Sequence, residues 1–90
     1  MILWRCQFES AIDGFEFRAH TGGACGPGVY AMPAGSHAMR KYYSARGEKT
    51  FEFEIPDNVV KKIGGKGVPT YWAIRERIHG ATKRVQSIYM

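Results

Sequence analysis

Cysteine is scarce in this chain of 90 residues, which has only two. Cys6 and Cys25 form no Cys-x-x-Cys pair and stand in no cluster of other ligands, so a zinc site is not indicated. We expect two reduced, buried thiols, as in a cytosolic protein, because a reducing compartment keeps cysteines unpaired. A Cys6–Cys25 disulfide is the alternative.

Long apolar stretches are missing as well. No run approaches the roughly 20 apolar residues that a membrane-spanning helix needs. Residues 1–8 start apolar, but they contain Arg5 and lack the layout of a signal peptide. We therefore expect a cytoplasmic protein. The length allows a single domain, residues 1–90, with a thin core to which aromatic side chains contribute large buried areas.

Acidic residues are outnumbered, with 8 against 13 lysines and arginines, and the net charge is +5. This excess favours an acidic partner, which can be a nucleic acid, a nucleotide or an acidic protein. The charges are not gathered into one tail, and this argues against a disordered arm that binds nucleic acid.

Alternation of apolar and polar residues predicts most of the strands. At the start of the chain it puts Trp4 and Arg5 on opposite faces of a strand, and an Asp-Gly turn precedes the second alternating segment. The predicted strands are residues 2–8, 15–19, 29–32 and 50–55.

One helix of about ten residues is predicted after the chain break at residues 33–35. Ser36 is the expected N-cap and Gly47 the terminating glycine. Apolar residues at helical spacing should face the core, and basic residues should point outward. The expected inward residues are Ala38, Met39, Tyr42 and Tyr43, and the expected outward residues are Arg40, Lys41 and Arg46. A single helical turn is predicted at residues 59–63.

Residues 70–90 fit two arrangements. Thr70 as a cap and Gly80 as a terminator would give a helix followed by a strand. The β-branched and aromatic content, with a turn at residues 79–82, favours a hairpin that pairs residues 71–78 with residues 83–89. The order of elements predicts an α+β fold with a small, mostly antiparallel sheet and one main helix.

Glycine is dense at residues 20–28. No Gly-Lys-Ser/Thr follows, which excludes a Walker loop, and a strand follows where a dinucleotide fingerprint would open into a helix. On composition alone this segment is a flexible surface loop, or one whose backbone can lie very close to a ligand.

The motif Gly-Pro-Gly-Val-Tyr-Ala at residues 26–31, followed by a helix with Ala38 and the pair Tyr42-Tyr43, resembles the core of ADP-ribosyltransferases. In the poly-ADP-ribose polymerase branch of that family, a Gly-x-Gly-Ile/Val-Tyr-Phe-Ala strand precedes a helix that carries Ser-x-x-Tyr. The resemblance implies a small version of that family's fold.

Two further segments look like landmarks of the same family, in the right order. Leu-Trp-Arg-Cys at residues 3–6 looks like the first strand. Residues 74–78, followed by a strand at residues 85–89, look like the late strand that carries the catalytic glutamate. Arg5 stands where the polymerase branch has histidine and the arginine branch has arginine. Met39 replaces the serine of the polymerase branch, and Ile74 replaces the upstream Glu or Gln of the arginine branch.

The resemblance implies that NAD lies beside the glycine loop, against Gly26 and Gly28, where backbone groups can approach its amide and phosphates. Tyr30, together with Tyr42 or Tyr43, would flank the nicotinamide ring, because aromatic faces suit a flat cationic heterocycle.

The resemblance also implies three catalytic residues. Arg5 would contact the ribose or the diphosphate as a charged donor. Tyr30 would hold the nicotinamide end of the cleft. Glu76 would bond the nicotinamide ribose and stabilise the positive charge that develops as the glycosidic bond breaks. The acceptor of ADP-ribose would be a protein side chain or a nucleic-acid group.

A non-catalytic binding protein is the alternative. A small basic domain rich in aromatics can engage a nucleic acid or an acidic protein, and a chain of this size can be an inhibitor of the kind made by phages and mobile elements. The candidate contacts are the basic residues Arg40, Lys41, Arg46, Lys49, Lys61, Lys62, Lys66, Lys83 and Arg84.

Overall fold

The first strand of the chain lies in the middle of the sheet. The computed structural model describes residues 1–8, 22–64, 69–74 and 76–78, together with the main chain of residues 84–89. These residues contain six strands and one α-helix, which are β1 (Ile2–Gln7), β2 (Val29–Pro33), α1 (His37–Ala45), β3 (Lys49–Glu54), β4 (Lys61–Ile63), β5 (Thr70–Ala73) and β6 (Arg84–Tyr89). The strand predicted at residues 15–19 lies outside the described residues.

The strands form one sheet in the order β4-β5-β2-β1-β3-β6, and every neighbouring pair is antiparallel. The prediction of an α+β fold with a mostly antiparallel sheet and one main helix is confirmed at this level. The radius of gyration is 12.0 Å, which matches the value of about 12 Å for a compact domain of this length. None of the helices in the described part of the chain is long and apolar enough to cross a membrane.

The predicted hairpin at the end of the chain is wrong. β5 pairs with β2 and β4, whereas β6 pairs with β3 at the opposite edge of the sheet. After β5 the chain makes a helical turn, in which the amides of Arg77 and Ile78 donate to the carbonyl of Ile74. Ile78 is fully buried in the core, and its burial takes the chain away from β5.

The helical turn predicted at residues 59–63 is also wrong. A 3₁₀ turn covers Asp57–Val59, and the following residues form the edge strand β4. β4 finds a partner in β5, with Lys61 opposite Trp72, and these strand bonds replace the helical ones. Lys61 and Lys62 are both exposed on this edge, where charged residues disfavour pairing with another chain.

Both faces of the sheet are covered. One face carries the larger core, to which residues from the segments after β3 and β5 contribute Ile55 and Ile78. The opposite face carries a smaller cluster of Trp4, Cys6 and Met32, against which Tyr43 of α1 packs. The larger cluster comprises Leu3, Val29, Ala31, Phe53, Ile55, Ala73 and Ile78.

Polar groups under α1 are paired across β1 and β3. Trp4 Nε1 donates to Glu52 Oε1 at 3.0 Å, and Cys6 Sγ lies 3.3 Å from Thr50 Oγ1. Each pair joins residues that are directly opposite in the β1–β3 register. Cys6 and Cys25 are free thiols, the first buried and the second half-buried.

The predicted helix is present, with its ends where the sequence places them. Gly47 has a φ of +88°, and the amides of Gly47 and Glu48 donate to the carbonyls of Ser44 and Tyr43, so the glycine ends the helix as expected. Ser36 occupies the N-cap position, but its hydroxyl donates to the carbonyl of Pro33 at 2.7 Å and caps no helix amide.

The predicted orientation is wrong for four of the seven residues of this helical segment that were assigned a side, whereas Lys41 and Arg46 are exposed as predicted. Ala38, Met39 and Tyr42 were expected to face the core but are exposed, and Arg40 was expected outside but is half-buried. Tyr43 does pack inward as predicted. The side of α1 that faces the sheet thus carries both Arg40 and Tyr43. This combination fits the sheet surface beneath the helix, which contains polar as well as apolar groups.

Candidate functional site

Arg5 of β1 and Tyr30 of β2 come together where the pairing of these two strands ends. The β1–β2 register covers Leu3 with Pro33 and Trp4 with Met32. Beyond it, the Arg5 side chain reaches β2, and its Nη1 donates to the carbonyl of Tyr30 at 2.9 Å. Two of the predicted catalytic residues are therefore in direct contact.

The hydroxyl of Tyr30 organises the glycine-rich loop. It donates to the carbonyl of Gly26 at 2.7 Å and accepts from the amide of Cys25 at 3.1 Å. Gly23 and Gly26 have φ values of +107° and +81°, which an L side chain rarely adopts. A Cβ on Gly23 would also lie 2.7 Å from Cζ of Tyr30. The loop is thus closed on Tyr30, and this tyrosine has a structural role besides any contact with a ligand.

The lack of a side chain at Gly28 makes room for the indole of Trp72. A Cβ at this position would lie 2.7 Å from Cε2 of Trp72 and 2.8 Å from the carbonyl oxygen of Ala73. Trp72 is directly opposite Tyr30 in the β2–β5 register, so its indole lies across the glycine that precedes β2. The absence of a side chain at Gly28 therefore has a packing explanation.

Arg5 is a positive charge held largely out of water. Burial lowers the pKa of its guanidinium, and the nearby carboxylate of Glu48 opposes this shift. Cys6 and Tyr43 also lie close enough to Arg5 to act on it electrostatically. An arginine stays protonated in such surroundings, so the site retains a cation that is able to bind phosphate or carboxylate.

Glu48 is a site residue that sequence reasoning missed. Its side chain is only 12% exposed, and its Oε2 lies 4.0 Å from Nε of Arg46. The helix-ending turn at Gly47 brings Glu48 back under α1, where its amide bonds Tyr43. The one available signal was an acidic residue directly after the terminating glycine.

The two tyrosines of α1 have different environments. Tyr43 is half-buried near Arg5, whereas Tyr42 is 59% exposed on the outer face of the helix. Their rings meet edge to face at 5.1 Å, and the guanidinium of Arg46 lies about equally far from both ring centres, at 5.9 and 6.0 Å. Of the two, Tyr43 is the one that the fold brings to Arg5.

Glu76 lies on the helical turn after β5, and its side chain is exposed. It makes no hydrogen bond or ion pair to another residue in the described part of the chain. The structure thus joins Arg5 to the carbonyl of Tyr30 and the Tyr30 hydroxyl to the glycine loop. Tyr43 and Glu48 lie near enough to Arg5 to act on its charge. Glu76 is an exposed carboxylate, and no hydrogen bond or ion pair among the described residues links its side chain to this group.

Cys6 lies near the same charges but does not suit a nucleophilic role. Burial raises the pKa of its thiol, and the hydrogen bond with Thr50 and the charges of Arg5 and Arg40 only partly oppose this. The thiol is therefore protonated at neutral pH, and the thiolate is the reactive form of cysteine. The described residues contain no group of three or more His, Cys, Asp or Glu that could hold a metal ion.

Comparisons of this chain with protein-family models, with curated proteins and with solved structures find no match. The chemistry of the site rests on its own residues. A largely buried guanidinium offers a charge to an anionic group, whereas the amides of Cys25 and Gly26 in the glycine loop already donate to the Tyr30 hydroxyl and to the carbonyl of Gly23.

Proposed function

We propose that this chain is an ADP-ribosyltransferase-like protein that binds NAD at the site formed by Arg5, Tyr30, Tyr43 and the glycine loop. The observation that carries the proposal is the contact between Arg5 and Tyr30. The two residues are 25 positions apart, and the resemblance assigns both to one NAD cleft. A charged donor in this position suits the diphosphate of a dinucleotide.

The residues fit a dinucleotide in part. Arg5 supplies the cation, and the half-buried ring of Tyr43 supplies an aromatic surface. Gly28 is occupied by the packing of Trp72, and Tyr42 faces outward, so neither supports the proposal. In this proposal NAD supplies the ADP-ribosyl group, and Glu76 is the carboxylate that would stabilise charge on the ribose.

The test is calorimetric titration of NAD into the wild type and into Arg5→Lys. Lysine keeps the charge but loses the planar fork, so we expect at least a tenfold weaker affinity, which corresponds to about 1.4 kcal/mol. Lys41→Gln, an exposed change on α1, is the matched control and should stay within about twofold of the wild type. Absence of heat at millimolar NAD would refute the proposal.

The transfer of ADP-ribose is tested separately from the binding of NAD. Glu76→Gln should bind NAD as the wild type does but lose NAD cleavage, measured as released nicotinamide, because only the charge-stabilising group is removed. If the wild type binds NAD without cleaving it, the chain is a binding protein and the catalytic part of the proposal is wrong.

The outer face of α1 favours a second function, the binding of single-stranded nucleic acid. Tyr42 and Met39 are exposed there, Lys41 in the middle of the helix and Arg46 directly after it are exposed as well, and α1 contains no acidic residue. An exposed aromatic ring among cations stacks on bases while the cations contact phosphates. This second function requires no NAD and no catalysis.

We expect a labelled single-stranded oligonucleotide to bind with an affinity that falls as salt rises. Tyr42→Ala should weaken binding at least fivefold through lost stacking, and Lys41→Gln should lower the salt slope by about one. Lys62→Gln, on the distant edge strand β4, should change binding less than Lys41→Gln does. Fluorescence anisotropy across a salt series measures all three, and a flat salt dependence would exclude a phosphate-dominated interface.

A further inference from the structure

A groove opens where β5 ends and β4 begins, away from the contact between Arg5 and Tyr30. Its volume is about 290 Å³, near the lower end of ligand-binding pockets. The floor is apolar, with Val59, Val60 and Ala73 among its residues. The size suits a small ligand rather than a whole dinucleotide.

One wall of the groove is an aromatic ring held in place. Trp72 lines the groove, and the edge of its indole packs against Gly28 of the neighbouring segment. A ring fixed on one edge offers a preformed surface to a flat ligand, because little side-chain entropy is lost on binding.

Two cations line the same groove. Lys61 lies directly opposite Trp72 in the β4–β5 register, and Arg77 comes from the helical turn after β5. No carboxylate of the described residues lines the groove. The neighbouring Asp57 is paired with the amino group of Met1 at 3.0 Å, so it does not neutralise these cations.

We propose that this groove binds a small planar aromatic anion of the nucleoside monophosphate class. The base stacks on Trp72, and the phosphate lies between Lys61 and Arg77, where a cation over an apolar floor binds an anion more strongly than in open water. None of the residues that line the groove belongs to the site proposed for NAD, but the two sites adjoin where Trp72 packs against Gly28. The proposal for the groove holds whether or not the chain binds NAD.

The experiment follows the two tryptophan indole N–H signals in ¹H–¹⁵N spectra during titration with AMP. Trp72 should shift, whereas Trp4, buried under α1 and bonded to Glu52, should not. Trp72→Phe assigns the signals. Adenosine lacks the charge and inorganic phosphate lacks the ring, so each should bind at least tenfold more weakly than AMP.

Lys61 and Lys62 supply a matched pair of variants. They are adjacent, both exposed and equally charged, but only Lys61 lines the groove. Lys61→Gln and Arg77→Gln should each weaken AMP at least fivefold, and Lys62→Gln should leave it unchanged. Equal effects of Lys61→Gln and Lys62→Gln would overturn the proposal, and so would a loss of AMP binding in Arg5→Lys alone, or no shift of Trp72 at millimolar AMP.

Discussion

Gly28→Ala is expected to lower the free energy of unfolding by about 3 kcal/mol. The added methyl group would lie 2.7 Å from the indole of Trp72 and 2.8 Å from the main-chain oxygen of Ala73. The indole could rotate away, but the carbonyl belongs to β5 and is held by the pairing with β2. Relief therefore requires the two strands to separate locally, which is why this methyl group is costly.

Urea unfolding followed by circular dichroism measures this effect, and Gly22→Ala is its control. Gly22 belongs to the same loop, but a Cβ there meets no atom within 4 Å, so its stability should change by less than about 0.5 kcal/mol. If Gly28→Ala were as stable as Gly22→Ala, the packing of Trp72 across this glycine would be wrong.

Arg5→Met is expected to lower the free energy of unfolding by about 2 kcal/mol. The change removes a charged donor from the carbonyl of Tyr30, a type of hydrogen bond that contributes about 1.5 to 3 kcal/mol. It also removes a positive charge near the carboxylate of Glu48, whose Oε2 lies 4.0 Å from Nε of Arg46. Methionine fills a similar volume, so little of the loss comes from a cavity.

A double-mutant cycle with Glu48→Gln separates the two causes. If Arg5 and Glu48 interact as their electrostatic proximity indicates, Glu48→Gln should cost about 1 kcal/mol less in the Arg5→Met background than alone. Additive effects of the two changes would show that Arg5 acts only through Tyr30. The same variants, titrated with NAD, show whether the pair also sets the affinity of the proposed site.

The positions of the strands that flank the site could be predicted from the sequence, but the pairing of strands in the sheet could not. Alternation locates β1 and β3, because one face of each must be apolar to pack, and a short β-like run after the glycine loop locates β2. The pairing of β6 with β3 has no local signal. The turn predicted at residues 79–82 favours a hairpin, but Ile78 is buried in the core and β6 pairs with β3 instead of β5.

The candidate site, too, was predictable only in part. The ends of α1 are predictable because Gly47 supplies a left-handed residue at the end of the helix. Its orientation was mispredicted because apolar spacing alone ignores Arg40, whose long side chain is half-buried toward the sheet. Arg5 and Tyr30 were linked only by the family resemblance, and Glu48 was missed because a single acidic residue has no pattern.

The central position of β1 makes the folding of this protein a non-local event. Trp4 meets Glu52 across 48 residues of chain, and the last described strand, β6, completes the sheet at an edge. Contacts between residues so distant in sequence cost the entropy of closing large loops before they contribute any stabilisation. Domains of this type fold in about milliseconds to seconds. The contacts within helix α1 and within the loop bound by Tyr30 are local in sequence. They can therefore form and break many times before the sheet assembles and fixes their positions.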